Sequence, residues 1–329
     1  MVRMKANARK MRAVLVLIYV CAVMLAACAA PAPVVVVTAP PQAATPAAEP
    51  TDEPAAAPSR TTSPEPETAE QTELPQEPAG SILVRGGDTL ERDIIPQLCA
   101  VFGLSDSEVK DALGKAEGGL ISRDAKGFRR MEGMIAPGRY DVTDKTLEEY
   151  VITWVDGAQQ RYDTLAAGGQ LNDLAPHEQL TLASIVEWEC IGDEFELEAA
   201  AVFLNRLKKG EKLRSCATTE YALGYQRPYL TRADIAISDR YNTYQVRCLP
   251  PGPICAVDDD SLIAGISPAV DERIYYFFYD YAPDTMQFFT SYDAFKAAGA
   301  VSVEQFSQRF DIGKHDKISK RAVFGNTDA

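Results

Sequence analysis

Residues 29–80 constrain this chain more than any other stretch, because they cannot contribute to a core. They hold 12 of the 21 prolines, no aromatic residue, eight acids and a single base, Arg60. Such a segment buries too little apolar surface to offset the entropy of ordering it. Proline and like charge keep it extended. The expectation is a Pro/Ala/Glu-rich disordered tether over 28–80, with folded structure confined to 81–311 and a frayed polar tail over 312–329. At ~3.1 Å per residue, a tether of this length reaches roughly 100 Å or more when fully extended.

What precedes the tether reads as an export signal. Arg3, Lys5, Arg9, Lys10 and Arg12 form a basic start without acids, and residues 13–27 are almost wholly apolar. A basic region, a short apolar run and small residues at its end make a secretory signal over 1–27, shorter than the ~20 apolar residues that comfortably span a bilayer. The closing Leu25-Ala26-Ala27-Cys28 resembles a bacterial lipobox. That resemblance implies cleavage before Cys28, a lipid on its thiol, and a protein anchored as a lipoprotein to the outer face of the cytoplasmic membrane. An uncleaved anchor or plain secretion are the alternatives.

Charge and cysteine count narrow the partners. The formal net charge is −14 and no basic stripe interleaved with aromatics appears, so phosphate backbones repel the chain and nucleic acid is excluded as a partner. Without Cys21 and Cys28, five cysteines remain, at 99, 190, 216, 248 and 255. An odd number leaves at least one thiol free or paired between molecules. Cys248 and Cys255 flank a Pro-Pro-Gly turn and could be bridged. The spacings fit no zinc pattern and only His177 and His315 are present, so neither a metal nor a cofactor is expected.

The folded part reads as α+β, a small mixed unit over 81–170 followed by a larger domain over 171–311. Ser81 to Arg85 has strand character. Helices are expected over Thr89–Phe102, capped at Asp88 or Thr89, over Ser105–Lys115 with Ser105 as N-cap, and over Thr146–Gln160. Pro176 opens a further helix that Gly192 closes, and Glu196–Lys209 forms another that Gly210 ends. Residues 211–260 are loop-rich. Ile274–Tyr279 and Met286–Thr290, with Pro283-Asp284-Thr285 between them, make a hairpin, and Tyr292–Phe310 a closing helix.

Chemistry concentrates at Glu187 and Glu189 in the run Leu182-Ala183-Ser184-Ile185-Val186-Glu187-Trp188-Glu189. Residues two apart on a helix point about 200° apart, so the two cannot share a cleft. Glu189 lies seven, four and three residues after Leu182, Ile185 and Val186 and extends their apolar stripe, whereas Glu187 falls toward Ala183 and Ser184. A carboxyl on the apolar side loses hydration and its pKa rises, as a general acid requires. This singles out Glu189.

Further motifs follow in order: Val202-Phe203-Leu204-Asn205-Arg206-Leu207, Arg240-Tyr241-Asn242-Thr243-Tyr244 and Leu249-Pro250-Pro251-Gly252-Pro253-Ile254. Together with the glutamate pair they resemble the YceG/MltG-like family of endolytic murein transglycosylases, closely over 180–292 and faintly over 81–140. Met131-Glu132-Gly133 with Pro137 and Tyr140 is similar to the family's element leading into its catalytic domain. The resemblance implies a lytic-transglycosylase-like catalytic domain in which Glu189 alone protonates the MurNAc–GlcNAc oxygen. The same carboxylate then takes the proton from the MurNAc C6 hydroxyl, giving a 1,6-anhydro end. It further implies that Asn205, Ser215, Thr218, Tyr221, Tyr241, Asn242, Thr243 and Tyr244 bind peptidoglycan strands, and that cell-wall synthases are partners.

The chain departs from that pattern in places. Cys216 and Ala217 stand where the family commonly has Asp-Pro before its threonine, Met286-Gln287-Phe288 where it has His-x-Phe, and Phe195-Glu196 where it has Glu-Arg. The alternative is a non-catalytic, peptidoglycan-binding scaffold lipoprotein derived from the family. A solute-binding lipoprotein fits the anchor, but residues after 176 lack the repeated βα pattern of two lobes.

Overall fold

Strand β1 (Ser81–Val84) pairs antiparallel with β2 (Gly138–Asp141), Ile82 opposite Tyr140 and Val84 opposite Gly138. The structure, a computed structural model, describes residues 80–190, 195–271, 273–280 and 285–320. Cys28, the signal and tether segments, Gly192 and Pro283-Asp284 lie outside the described residues. The alternation expected of a half-buried strand is present, with Ile82 and Val84 inward. The other edge of β1 is closed by a side chain: Gln97 accepts from Leu83 N (2.8 Å) and donates to Leu83 O (2.9 Å), imitating a neighbouring strand.

Gln97 belongs to α1 (Ile95–Phe102), which continues a wider π-type turn over Leu90–Ile94. Thr89 caps that turn, its hydroxyl accepting from Arg92 N. Ser105 and Glu108 form a reciprocal capping box that starts α2 (Asp106–Gly114), and Thr146 and Glu149 do the same for α3 (Leu147–Ala166). Helix α3 therefore runs six residues beyond the expected Gln160. Its Trp154 stacks on Tyr150 and meets Tyr140 edge-on.

Helix α4 (Pro176–Glu189) sits between two cores and is buried on every side from Gln179 to Val186. Leu180 and Ala183 join the core built from β1, α1, α2 and α3. Leu182, Ile185 and Val186 join a second core with Ala199, Ala200 and Phe203 of α5 (Glu196–Lys208). The single apolar stripe expected for α4 is thus two apolar faces, because a helix sandwiched between cores has no solvated side.

Residues 211–260, expected to be loop-rich, contain α6 (Cys216–Leu223), whose N-cap is Ser215, and α7 (Asp259–Ile266) follows. Helix α7 crosses α4 at Gly265, where an added Cβ would lie 2.5 Å from Gln179 O and 2.7 Å from Ala183 Cβ. The hairpin β3 (Tyr276–Asp280) and β4 (Thr285–Phe289) pairs Tyr276 with Phe289 and Phe278 with Gln287. It packs through Phe277 on Phe203. Buried Asp280 accepts from Gln287 Nε2 and from Ser302 Oγ of α8 (Tyr292–Arg309), joining hairpin to closing helix. The tail is not frayed through residue 320. Tyr229 N donates to Lys314 O, Ile318 N to Gln226 O, and Lys320 Nζ pairs with buried Glu220 at 3.0 Å.

Candidate active site

Glu189 is the last residue of α4, and Cys190 leaves the helix in an extended conformation. The carboxylate meets the start of α6. Its Oε1 accepts from Ser215 Oγ (2.5 Å) and from Ala217 N (3.2 Å). Among the described residues, Oε2 has no hydrogen-bond partner. Helix N-termini leave N–H groups for acceptors, and here one of them serves a catalytic candidate. Ala217 stands where the resembling family commonly carries proline. Proline has no N–H, so this departure is what makes the second bond to Glu189 available.

The support beneath Ser215 is built from the Tyr-Asn-Thr-Tyr strip. Ser215 N donates to Thr243 Oγ1 (3.0 Å), and the Thr218 and Thr243 hydroxyls lie 2.8 Å apart. Thr219 Oγ1 donates to Asn242 Oδ1 (3.0 Å), while Asn242 Nδ2 donates to the carbonyls of Ile235 and Ile237. Thr218, Asn242 and Thr243 have no exposed surface. They hold the α6 N-terminus in place rather than offering hydroxyls and amides to a ligand. Tyr244 OH contacts Cys216 Sγ at 3.3 Å. Burial first, and the Glu189 charge second, push the Cys216 thiol up to about 12.

Tyr221 lies one turn beyond Ala217 on α6, hence on the same face. Its hydroxyl donates to Glu132 Oε2 (2.8 Å), and Leu90 N donates to Glu132 Oε1 (3.0 Å). Burial pushes fully enclosed Glu132 up to about 7. Gly133 must follow it: φ is +77°, and a Cβ there would sit 2.8 Å from Pro253 Cβ. The Glu-Gly and Pro-Pro-Gly-Pro motifs are therefore two sides of one contact. The Tyr221 and Tyr241 rings pack at 4.8 Å, with the Arg129 guanidinium over both. Arg129 and Tyr241 line a groove of about 560 Å³ with Phe128, Arg240 and Pro251.

Two expected residues have other surroundings. Asn205 Nδ2 donates to the carbonyls of Asp271 (2.8 Å) and Ile274 (3.0 Å), tying α5 to the approach to β3. Glu187, which the sequence sets toward Ala183 and Ser184, is pushed up to about 7 by burial first and by the neighbouring Asp258 charge second. Its Oε2 accepts from Asp258 N (3.0 Å), and Gly86 leaves space for its Oε1. Carboxylate oxygens of Glu187, Glu196 and Asp258 lie within 4.8 Å of one another, the one such cation-sized group among the described residues. Ser261 binds into the cluster, donating its hydroxyl to Glu196 and its N–H to Asp258. Sequence reasoning missed Arg129 and Glu132 as site residues. Glu-Gly was the only signal for the latter. No disulfide joins any of the five cysteines among the described residues, so Cys248 and Cys255 are not bridged; the Cys255 thiol donates to Ser184 O.

The model of the YceG-like family matches residues 64–300. The endolytic murein transglycosylase of Bacillus subtilis (strain 168) is 30% identical over 148 residues, 44% of this chain and 41% of that protein. The endolytic murein transglycosylase of Streptococcus pneumoniae serotype 2 (strain D39 / NCTC 7466) is 29% identical over 167 residues, 48% of this chain and 30% of that protein. The chain thus spans less than half the length of these curated relatives. A crystal structure of a yceG-like protein from Listeria monocytogenes superposes with a TM-score of 0.57 at 24% identity, covering 67% of this chain and 76% of that one. This last likeness supports the α+β fold.

Proposed function

The chain belongs to the YceG-like family, and from that premise we propose that it cleaves peptidoglycan glycan strands as an endolytic lytic transglycosylase with Glu189 as its single acid and base. The observation that carries the reading is the asymmetry of the Glu189 carboxyl. Ser215 Oγ and Ala217 N both donate to Oε1, so the proton of the neutral acid resides on Oε2. Oε2 then protonates the oxygen between MurNAc and GlcNAc, and the C–O bond breaks with positive charge developing at C1. The resulting carboxylate accepts the proton of the MurNAc C6 hydroxyl as that oxygen bonds to C1. The products are a GlcNAc hydroxyl and a 1,6-anhydro-MurNAc end, and no water is consumed.

Hydrolysis by paired carboxyls needs a second acid across the bond, about 5–9.5 Å from the first. Glu187 points to the far side of α4 and is held by Asp258 N, which favours the one-carboxyl route. Tyr221 and Tyr241 are buried and support the groove wall, where the partly exposed Phe128 ring is open to a pyranose. A lipid on Cys28 and the 28–80 tether would let the domain work on the wall outside the cytoplasmic membrane. Among the described residues, no helix is long and apolar enough to cross a membrane. Cell-wall synthases are the partners this placement would favour.

The test incubates the full chain in detergent with polymeric peptidoglycan and identifies the products by mass spectrometry. Anhydro-ended fragments are expected from the wild type and from Glu187→Gln, and a loss of at least 100-fold, on the order of a general acid's contribution, from Glu189→Gln. Reducing-end products would replace this mechanism with hydrolysis. Strands bound but left intact by the wild type would make the chain a wall-binding scaffold.

A further inference from the structure

Beside the Glu189 site lies a pocket whose charge runs against that of the whole chain. It measures about 360 Å³ and is lined by Glu211, Lys212, Arg214, Tyr244 and Arg247. Three cations thus face one acid in a protein with formal charge −14. Among the described residues none of the three cations is ion-paired. Lys212 Nζ donates to Tyr244 O (2.7 Å), Arg247 donates to Gly210 O (2.9 Å), and the Arg214 guanidinium has no hydrogen-bond partner among the described residues. Buried Arg206 adds a fourth positive charge near by. Burial first, and the Arg214 charge second, pull its guanidinium below the usual range.

The pocket is joined to the catalytic candidate through its own walls. Arg214 precedes Ser215, whose hydroxyl binds Glu189, and Tyr244 contacts Cys216 at the start of α6. Arg214 is also the one non-glycine residue among those described with positive φ, at 53°. A side-chain-bearing residue in that region is strained, and such strain persists where surrounding structure imposes it. Here Arg214 N is fixed to Thr243 O (3.2 Å), and the strain turns an exposed guanidinium into the pocket beside Ser215.

We infer that the Lys212–Arg214–Arg247 pocket is an anion subsite that takes a free carboxylate of the peptide carried by the MurNAc residue being cleaved. This rests on the reading of the chain as acting on peptidoglycan. The chemistry fits the position. The peptide hangs from the lactyl group on C3 of the same sugar whose C1 is attacked, so its carboxylates travel beside the scissile bond. Paired guanidinium groups suit carboxylate, and a charge-assisted bond is worth more than a neutral one. The pocket would give the enzyme a preference for strands whose peptides are present and uncapped.

The experiment compares two probes on the full chain: glycan strands bearing peptides with free carboxylates, and the same strands with those carboxylates converted to neutral amides. Equilibrium binding is measured for both, and KM and kcat where cleavage occurs. Without an anion subsite, a protein of net charge −14 binds the neutralised strands at least as well. The subsite predicts the reverse, with binding and KM about tenfold poorer on amidated strands and kcat within about twofold. Arg214→Gly, which suits the positive φ and so preserves the fold, and Arg247→Gln, remote from Glu189, should each bind free strands about tenfold more weakly and lose the discrimination. Equal binding of the two probes by the wild type, or discrimination retained by both variants, overturns the subsite. An absence of cleavage would sink the transglycosylase reading alone, because the binding comparison decides the subsite independently.

Discussion

Glu132 shows how much a single enclosed carboxyl can govern. It has no exposed surface, accepts from Leu90 N and Tyr221 OH, and is pushed up to about 7 by burial. A carboxyl held above its unfolded value binds its proton more tightly in the folded state. Its contribution is therefore complete below the unfolded value near 4.5 and declines as pH rises through the folded value of about 7. Across that window the wild type should lose roughly 3 kcal/mol relative to Glu132→Gln, whose side chain does not titrate. Denaturation midpoints of the two proteins between pH 4 and pH 8 would check this, and parallel curves would refute it. The same residue marks a limit of sequence reasoning. Spacing pointed to Glu189 through one apolar stripe, yet the helix is enclosed on both sides, and Glu187 on its other face is the carboxyl enclosed beside Asp258. Periodicity separates inside from outside only where an outside exists.

At the scale of elements, the capped helices were legible and the buried polar one was not. Ser105 with Glu108 and Thr146 with Glu149 announce α2 and α3, because each box satisfies two N–H groups by local bonds alone. Gly210, at φ +66°, follows α5 as expected. Helix α6 escaped notice because Thr218, Thr219 and Glu220 are all buried, their polar groups matched by Thr243, Asn242 and Lys320, partners distant in sequence. Its apolar pattern is therefore absent. The crossing of α4 and α7 gives an element-scale prediction. Alanine favours a helix over glycine by about 1 kcal/mol. A methyl added at Gly157 in α3 would meet nothing within 4 Å, so Gly157→Ala should stabilise by about that amount. Gly265→Ala places its methyl 2.5 Å from a backbone oxygen that cannot swing aside. Overpacking of this kind costs about 1–3 kcal/mol and outweighs propensity, so this variant should melt earlier. Urea midpoints of the two variants decide the matter; equal shifts in one direction would mean that helix propensity, not the crossing, sets both.

For the whole molecule, the decisive fact is that one helix belongs to two cores. The sequence suggests a boundary near residue 170, and a division there would place α3 and α4 in separate units. Yet Leu180 and Ala183 of α4 lie among the residues packed around Ile82, Leu98 and Trp154, while Leu182, Ile185 and Val186 lie with Phe203 and Ile254. Loss of either core exposes one face of α4, and with it the end that presents Glu189 to Ser215. Folding of the 80–320 region should therefore be a single transition. Leu98→Ala in the first core and Phe203→Ala in the second remove fully buried side chains, each costing about 2–5 kcal/mol. In calorimetry of the full chain, both variants should shift one common peak downward, with calorimetric and van't Hoff enthalpies in agreement. Two peaks, of which Leu98→Ala moves one and Phe203→Ala the other, would show that the cores melt separately. In that case α4 would not couple the strand pair at the N-terminal side to the placement of the catalytic carboxyl.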